Sequence, residues 1–240
     1  FFEISCLEET VYKNTSSGLT KNESFAAISF KISKEKIIHA KDIINSCGSM
    51  INRSFYAREI GFETFDEGIS NKPVEVFAVP GSSFIVKKDV INQIGLFDEK
   101  FFTYYEDIDF SWRARLKGWK FFFDPGSVTR HFHCGSGQEW SYNFTYHVLR
   151  NRLLMIYKCG WFTIFFKNYL SFSAAAFINF AYLIINKIRG KNTARIDIPI
   201  RMRIFFEFFI LIVSRLAQRI KIRTGAVISD NEIKVWQQNF

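Results

Sequence analysis

The chain has 240 residues, 48% of them hydrophobic and only four of them proline, so it can bury a substantial core and is not a disordered polymer. Its net charge of +9 is local: residues 1–150 carry 18 Lys/Arg against 19 Asp/Glu, and residues 151–240 carry 14 against 4. In the second region the positive charge lies beside long apolar runs, which points to an anionic membrane surface and away from nucleic acid.

The chain opens Phe1-Phe2-Glu3 with no basic-then-apolar leader, and it reads as a segment of something longer. Residues 26–32 (AAISFKI) and 74–79 (VEVFAV) have the composition of strands. Pro80-Gly81-Ser82-Ser83 breaks the second strand, and the extended pattern resumes over 84–86. Glycine and small serines at such a break let a ligand approach the backbone closely, although they suit a plain bulge or turn equally well. Residues 88–94 then suit a short helix stopped by Gly95.

The most informative stretch is 104–113, YYEDIDFSWR, where Glu106, Asp107 and Asp109 stand among large aromatic residues. Ile108, Trp112 and Leu116 recur every four residues, which predicts a helix with a buried stripe, ended by Gly118. Glu106 and Asp107 then fall at its N-terminus, where the dipole and free N–H groups favour ionised carboxylates. The bland alternative is that these acids are only favourable N-terminal charges.

Residues 119–123 (WKFFF) predict a buried strand, ended by Asp124-Pro125-Gly126. Beyond it, His131 and His133 form an HxH that could share a metal or phosphate site, a pattern that is weak alone. Cys6, Cys47, Cys134 and Cys159 show no CxxC spacing, so a reduced environment is expected, with neither a zinc ribbon nor a disulfide framework.

The basic region holds two apolar runs. The charge-free stretch 168–186 is near the length that crosses a hydrocarbon core, although Asn179 and several serines weaken it. The run 204–213 is interrupted by Glu207 and followed by Arg215, Arg219 and Arg223 at four-residue spacing, which predicts an interfacial helix with a basic stripe. Between the runs lie Lys187, Arg189, Lys191, Arg195, Arg201 and Arg203 against one acid, Asp197, a loop that prefers the cytoplasmic side. A cytosolic domain preceding such a loop would require helices that dip into one leaflet or form a re-entrant pair. The alternative is that the helices are the buried core of a soluble subdomain.

The segment 76–137, with GLFDEKFF, YYEDIDFSWRARLKGW and a histidine six residues after Pro125, followed by HVLRNRLLMIYK at 147–158, resembles the C-terminal half of an inverting family 2 glycosyltransferase of the rhamnosyltransferase-like type. The resemblance spans about residues 26–158. It implies an α/β fold: part of a GT-A (Rossmann-like) domain over 1–158, followed by basic amphipathic, membrane-associating helices over 159–240. It assigns Asp107 as general base with Glu106 its partner, Gly81 and Ser82 near the donor sugar, and Asp109, Trp112 and Arg113 on the acceptor side, although the helical spacing suits Trp112 to the core equally well and the i+4 spacing suits Arg113 to an ion pair with Asp109. His131 would help hold a divalent metal, Mg or Mn, on the diphosphate. The implied partners are a nucleotide-sugar donor, a saccharide or lipid-linked acceptor and a membrane surface, at the cytoplasmic face of the cell membrane and without nucleic acid.

The departures also matter. The only Asp-x-Asp is Asp107-Ile108-Asp109, which belongs to the base motif, and FFEISCLEETVY at the start holds no aspartate. The nucleotide-binding half is therefore expected outside these residues, or supplied otherwise. A noncatalytic membrane-bound partner or remnant of such an enzyme is the alternative, and a metal nuclease using Glu106, Asp107, Asp109 and His131 is a third reading, disfavoured because the basic charge lies away from the acids.

Overall fold

A computed structural model of the chain describes residues 43–67, 72–131, 140–190 and 197–240, together with the backbone of 6–7 and 25–34. The fold is mixed α/β, as composition and pattern indicate, with a small mixed sheet and a long apolar helix. His133, Cys134 and the side chain of Cys6 lie outside the described residues, while Cys47 and Cys159 are buried and form no disulfide with another described cysteine.

The chain divides into two compact units. The first comprises 1–100, 106–135 and 225–240, and the second 101–105 and 136–224. This departs from the expected boundary at 158: residues 136–158 belong with the helices, and the last sixteen residues return to the sheet unit. No local period could announce that return, because it is made by pairing with residues far away in sequence.

The first unit is built on β1 (Cys6–Leu7), β2 (Phe25–Lys34), β3 (Ile43–Ser46), β4 (Ser49–Asn52), β5 (Ala57–Glu59), β6 (Val74–Val76), β7 (Phe84–Lys87), α1 (Lys88–Ile94), α2 (Glu106–Leu116) and β8 (Lys120–His131). The main sheet runs β1-β7-β2-β8-β6, with β3 also on β2. Strands β2 and β8 are parallel, while β7 and β6 pair antiparallel to β2 and β8. The expected stop at Asp124 is instead a bulge within β8: Phe30 pairs with Asp124 and Lys31 with Val128, so three residues loop out. Buried Asp124 accepts from the Gly126 N–H at 3.1 Å, which closes that bulge locally and lets the ladder resume.

Val76, Val86, Phe121 and Phe123 from the sheet, Val90 from α1, and Phe110 and Ala114 from α2 form one apolar core. Phe97, from the GLFDEKFF motif, packs edge-to-face on Phe110 with ring centroids 5.4 Å apart, which explains an aromatic at that position.

The second unit consists of α3 (Tyr142–Cys159), α4 (Phe162–Ile188), α5 (Asp197–Ser214) and α6 (Leu216–Thr224). Helix α4 is long and apolar enough by length and composition to cross a membrane, and only 22% of its most apolar window is buried among the described residues. Tyr169 stacks on Phe205 at 6.1 Å and Phe165 on Phe208 at 6.2 Å, which fasten one face of α4 to α5.

The basic stripe has an internal use that spacing alone did not reveal. Arg219 donates to the carbonyls of Tyr157 and Gly160, the latter at 2.9 Å, and Arg223 to that of Cys159 at 2.7 Å. These are the orphan acceptors at the C-terminal end of α3, so two of the three arginines cap a helix rather than face outward.

The chain then re-enters the first unit through α7 (Asp230–Lys234) and β9 (Gln237–Gln238), which adds a parallel strand to β4 in a small β5-β4-β9 sheet. The Val227 N–H donates to the Leu116 carbonyl at 2.7 Å, which ties the tail to the end of α2.

Candidate functional site

Helix α2 starts and ends where the sequence places it, with Gly118 at φ 86° just beyond. Burial goes further than the Ile108, Trp112 and Leu116 stripe, because every residue from Ile108 to Leu116 is buried. A helix buried all round must find partners for its charges, and those partners position the site.

One face of α2 zips along the extended segment that follows β6. Asp107 Oδ2 accepts the Gly81 N–H at 2.8 Å, Ser111 Oγ accepts the Val79 N–H at 3.3 Å, and Arg115 Nε donates to the Phe77 carbonyl at 2.6 Å. Four helical residues rise about 6 Å and two extended residues about 6.7 Å, so the rungs stay in step. Arg115 also donates to the Val76 carbonyl and lies 4.1 Å from the ring of Trp236, and burial lowers its pKa to about 10.

Asp107 Oδ1 accepts from the Ile108 N–H at 2.7 Å, so each oxygen of this half-buried carboxylate holds one backbone donor. Glu106 differs. Its Oε2 is buried with no hydrogen-bond partner among the described residues. Burial first, and then the Asp107 charge, pushes Glu106 up to about 8. Burial also raises Asp107, opposed by the Gly81 and Ile108 N–H groups. Those donors favour the charged form on Asp107, while burial favours the protonated form on Glu106.

A third carboxylate, absent from the expected set, acts on the same group. Glu59, on β5, is pushed up to about 8 by burial and then by the Asp107 charge. Ser46 donates to it, and Ser49 Oγ lies 3.0 Å from its Oε1. Nothing in REIGFE marks this residue, since its relation to Asp107 comes from the fold of β3 to β5 and not from sequence proximity.

Gly81 lies beside both carboxylates at the start of α2. A Cβ there would lie 3.5 Å from Asp107 Oδ2 and 3.6 Å from Glu106 Oε1, so the glycine keeps open the space beside both carboxylates. Ser82 is half-buried in the same turn, and the neighbouring Ser83 Oγ lies 3.1 Å from Thr129 Oγ1. His131, two residues beyond Thr129 on β8, shares its face of the strand and is half-buried.

The expected acceptor-side residues are corrected. Asp109 is fully buried and bonded at 2.8 Å to Arg113 Nε, while Arg113 donates to the carbonyls of Ile94 and Leu96 at 2.6 and 2.9 Å. This pair closes the C-terminal end of α1. Trp112 is fully buried and stacked on Phe55, ring centroids 4.9 Å apart. All three hold α2 in place and leave no surface for a sugar.

The five residues before Glu106 are held in an unusual conformation. Phe102, Tyr104 and Tyr105 have φ of 61°, 63° and 70°, left-handed values that cost about 1–3 kcal/mol each for side chains of this size. Within the helical unit, Asn151 Nδ2 donates to the carbonyls of Phe101, Thr103 and Tyr104 at 2.8, 2.7 and 2.9 Å, which offsets part of that cost. Asn151 is the centre of the RNR in HVLRNRLLMIYK, which gives that part of the motif a physical purpose.

Among the described residues, no group of three or more His, Cys, Asp and Glu side chains is placed to hold a metal ion. No family model matches the chain, and no curated protein matches it.

Proposed function

We propose that the chain is the acceptor-side and general-base part of an inverting, membrane-associated glycosyltransferase of the GT-A type. The observation that carries this reading is the pair at the start of α2. Asp107 accepts the Gly81 and Ile108 N–H groups, which favour its charged form, beside Glu106, whose pKa is pushed up to about 8, and an open space guarded by a glycine.

A carboxylate has about four lone-pair sites, so Asp107 with two donors can still accept an acceptor hydroxyl. As that oxygen attacks the anomeric carbon of the donor, its proton passes to Asp107, the bond to the nucleotide diphosphate breaks, and the configuration inverts. Burial raises its pKa, which strengthens the base relative to an exposed aspartate, while the two N–H groups favour its charged form. The divalent metal implied by the resemblance, through His131, has no ligand set among the described residues, and the chemistry assigned to this chain rests on its own carboxylates.

The excess of basic residues after 150 and the exposed apolar face of α4 support association with the cytoplasmic face of a membrane, where a lipid-linked saccharide acceptor would be found. The experiment is to incubate the full-length protein with membrane lipid extracts and a panel of nucleotide sugars. Release of nucleotide diphosphate, together with an anomeric configuration opposite to the donor's in the product, is the supporting result. Donor hydrolysis or transfer with retention would sink the reading.

A noncatalytic, membrane-bound protein derived from such an enzyme is favoured by one observation: the ladder from Asp107 to Arg115 gives Asp107 a place in the fold apart from any chemistry. Binding of a lipid-linked saccharide without turnover of any donor would decide for it.

A further inference from the structure

The chain leaves the sheet unit before α3 and returns to it after α6. Residues 225–240 are part of the first unit, with β9 paired to β4 and the Val227 N–H bonded to the Leu116 carbonyl. The chain on either side of the helices therefore lies on one side of any bilayer, and the helices between must cross it an even number of times. A single span by α4 is excluded by this connectivity.

Two crossings would need α5 as the partner of α4. Helix α5 carries Arg201, Arg203 and Glu207 within its 18 residues, and among the described helices only α4 meets the length and hydropathy of a span. Glu207 is moreover committed within the helical unit, accepting from Tyr146 at 2.6 Å and Arg150 at 2.8 Å. Carrying these charges through hydrocarbon is costly, whereas the interface leaves them hydrated.

From this we infer that α4 and α5 lie in the plane of one leaflet, as a monotopic patch on an anionic lipid surface. Phe166, Phe177, Ile184 and Ile188 of α4, and Phe206 and Val213 of α5, are exposed at helical spacing and form apolar faces left open by the described residues. Exposed Lys167, Lys187, Arg189 and Arg203 stand beside them, and this charge suits phosphate headgroups better than a second copy of an equally basic surface. A helix of 27 residues is about 40 Å long, longer than the hydrocarbon core needs but no obstacle to lying within the interface.

The inference rests on the membrane-association reading above, and the experiment separates the two. The full-length protein, with Cys6 and Cys134 replaced by serine and the buried Cys47 and Cys159 retained, is given one added surface cysteine as Arg53→Cys, Arg189→Cys or Lys234→Cys, the protein without an added cysteine serving as the labelling blank. Each variant is labelled with a membrane-impermeant maleimide in right-side-out and inside-out vesicles from a bacterial host. In parallel, the purified protein is floated with vesicles of phosphatidylcholine, with and without phosphatidylglycerol. The expected results are that all three sites react from the same single side, that flotation requires phosphatidylglycerol and falls with salt, and that Phe166→Asp lowers vesicle partition by about tenfold or more.

Arg189 reacting from the side opposite to Arg53 and Lys234 would mean a crossing pair and overturn the in-plane placement alone. Arg53 opposite to both other sites would mean a single span and overturn the connectivity argument. Failure to float with either vesicle, with dimers in solution instead, would overturn membrane association altogether while leaving the transfer chemistry to its own assay.

Discussion

The backbone N–H of Gly81 donates to Asp107 Oδ2 at 2.8 Å, so the residue at the break after β6 and the acid at the start of α2 form one unit. A methyl group at Gly81 would meet Asp107 and Glu106 at ordinary contact distances and would keep this N–H. Gly81→Ala is therefore expected to leave the melting temperature almost unchanged and to lower transfer by tenfold or more, because the methyl occupies the space where an acceptor oxygen must approach. Thermal unfolding and turnover measured on the same preparation check it. A large loss of stability would show that Gly81 serves the turn and not the site.

Glu59 and Glu106 make stability depend on pH in a stated direction. Their folded pKa of about 8 lies above the unfolded value near 4.5, so the folded state holds extra protons between those limits. The stabilisation is fully present below about 4.5 and is lost as pH rises through about 8. The melting temperature should fall across this window. Glu59→Gln should flatten the fall and exceed the wild type most clearly at the alkaline end. A wild-type profile that rises through the same window would contradict the burial of these carboxylates.

Asp109, Trp112 and Arg113 are expected to behave as fold residues. Trp112→Ala removes a fully buried ring and should cost about 3–5 kcal/mol. Asp109→Ala strands a buried guanidinium and should cost about 3–5 kcal/mol. Denaturant unfolding measures both. If either variant instead kept its stability and raised only the KM for acceptor, the side chain would belong to the acceptor site after all.

The tail should matter to the helix that carries the proposed base. Trp236→Ala removes the ring 4.1 Å from Arg115 and is expected to destabilise the sheet unit by about 2 kcal/mol. Hydrogen exchange should show the loss in α2 and β4, where the tail is fastened. Faster exchange confined to the tail itself would show that the contact is incidental.

Much of this was legible from the residues. Gly95 and Gly118 end α1 and α2 as their φ values of 76° and 86° require, and Ile108, Trp112 and Leu116 lie on the buried side. The strand 26–32 and the resumption at 84–86 are found within β2 and β7. What escaped was nonlocal. The bulge at Asp124 looked like a strand end because Asp-Pro-Gly stops a strand unless a neighbour such as β2 continues the ladder beyond it. Glu59 and the tail carry no periodic signal, since their importance comes from what the fold brings beside them. The i+4 spacing of Asp109 and Arg113 fitted an ion pair equally well as a sugar site, and burial decided for the ion pair.

The most direct measurement is single-turnover transfer by the full-length protein carrying Asp107→Asn, with donor affinity measured separately by calorimetry. Asparagine can keep one of the two backbone N–H contacts through its remaining carbonyl oxygen, but it cannot take a proton from the acceptor hydroxyl. The expected result is a loss of transfer of about 10²–10⁴-fold with donor affinity nearly unchanged. Transfer at the wild-type rate in a folded Asp107→Asn protein would contradict the account.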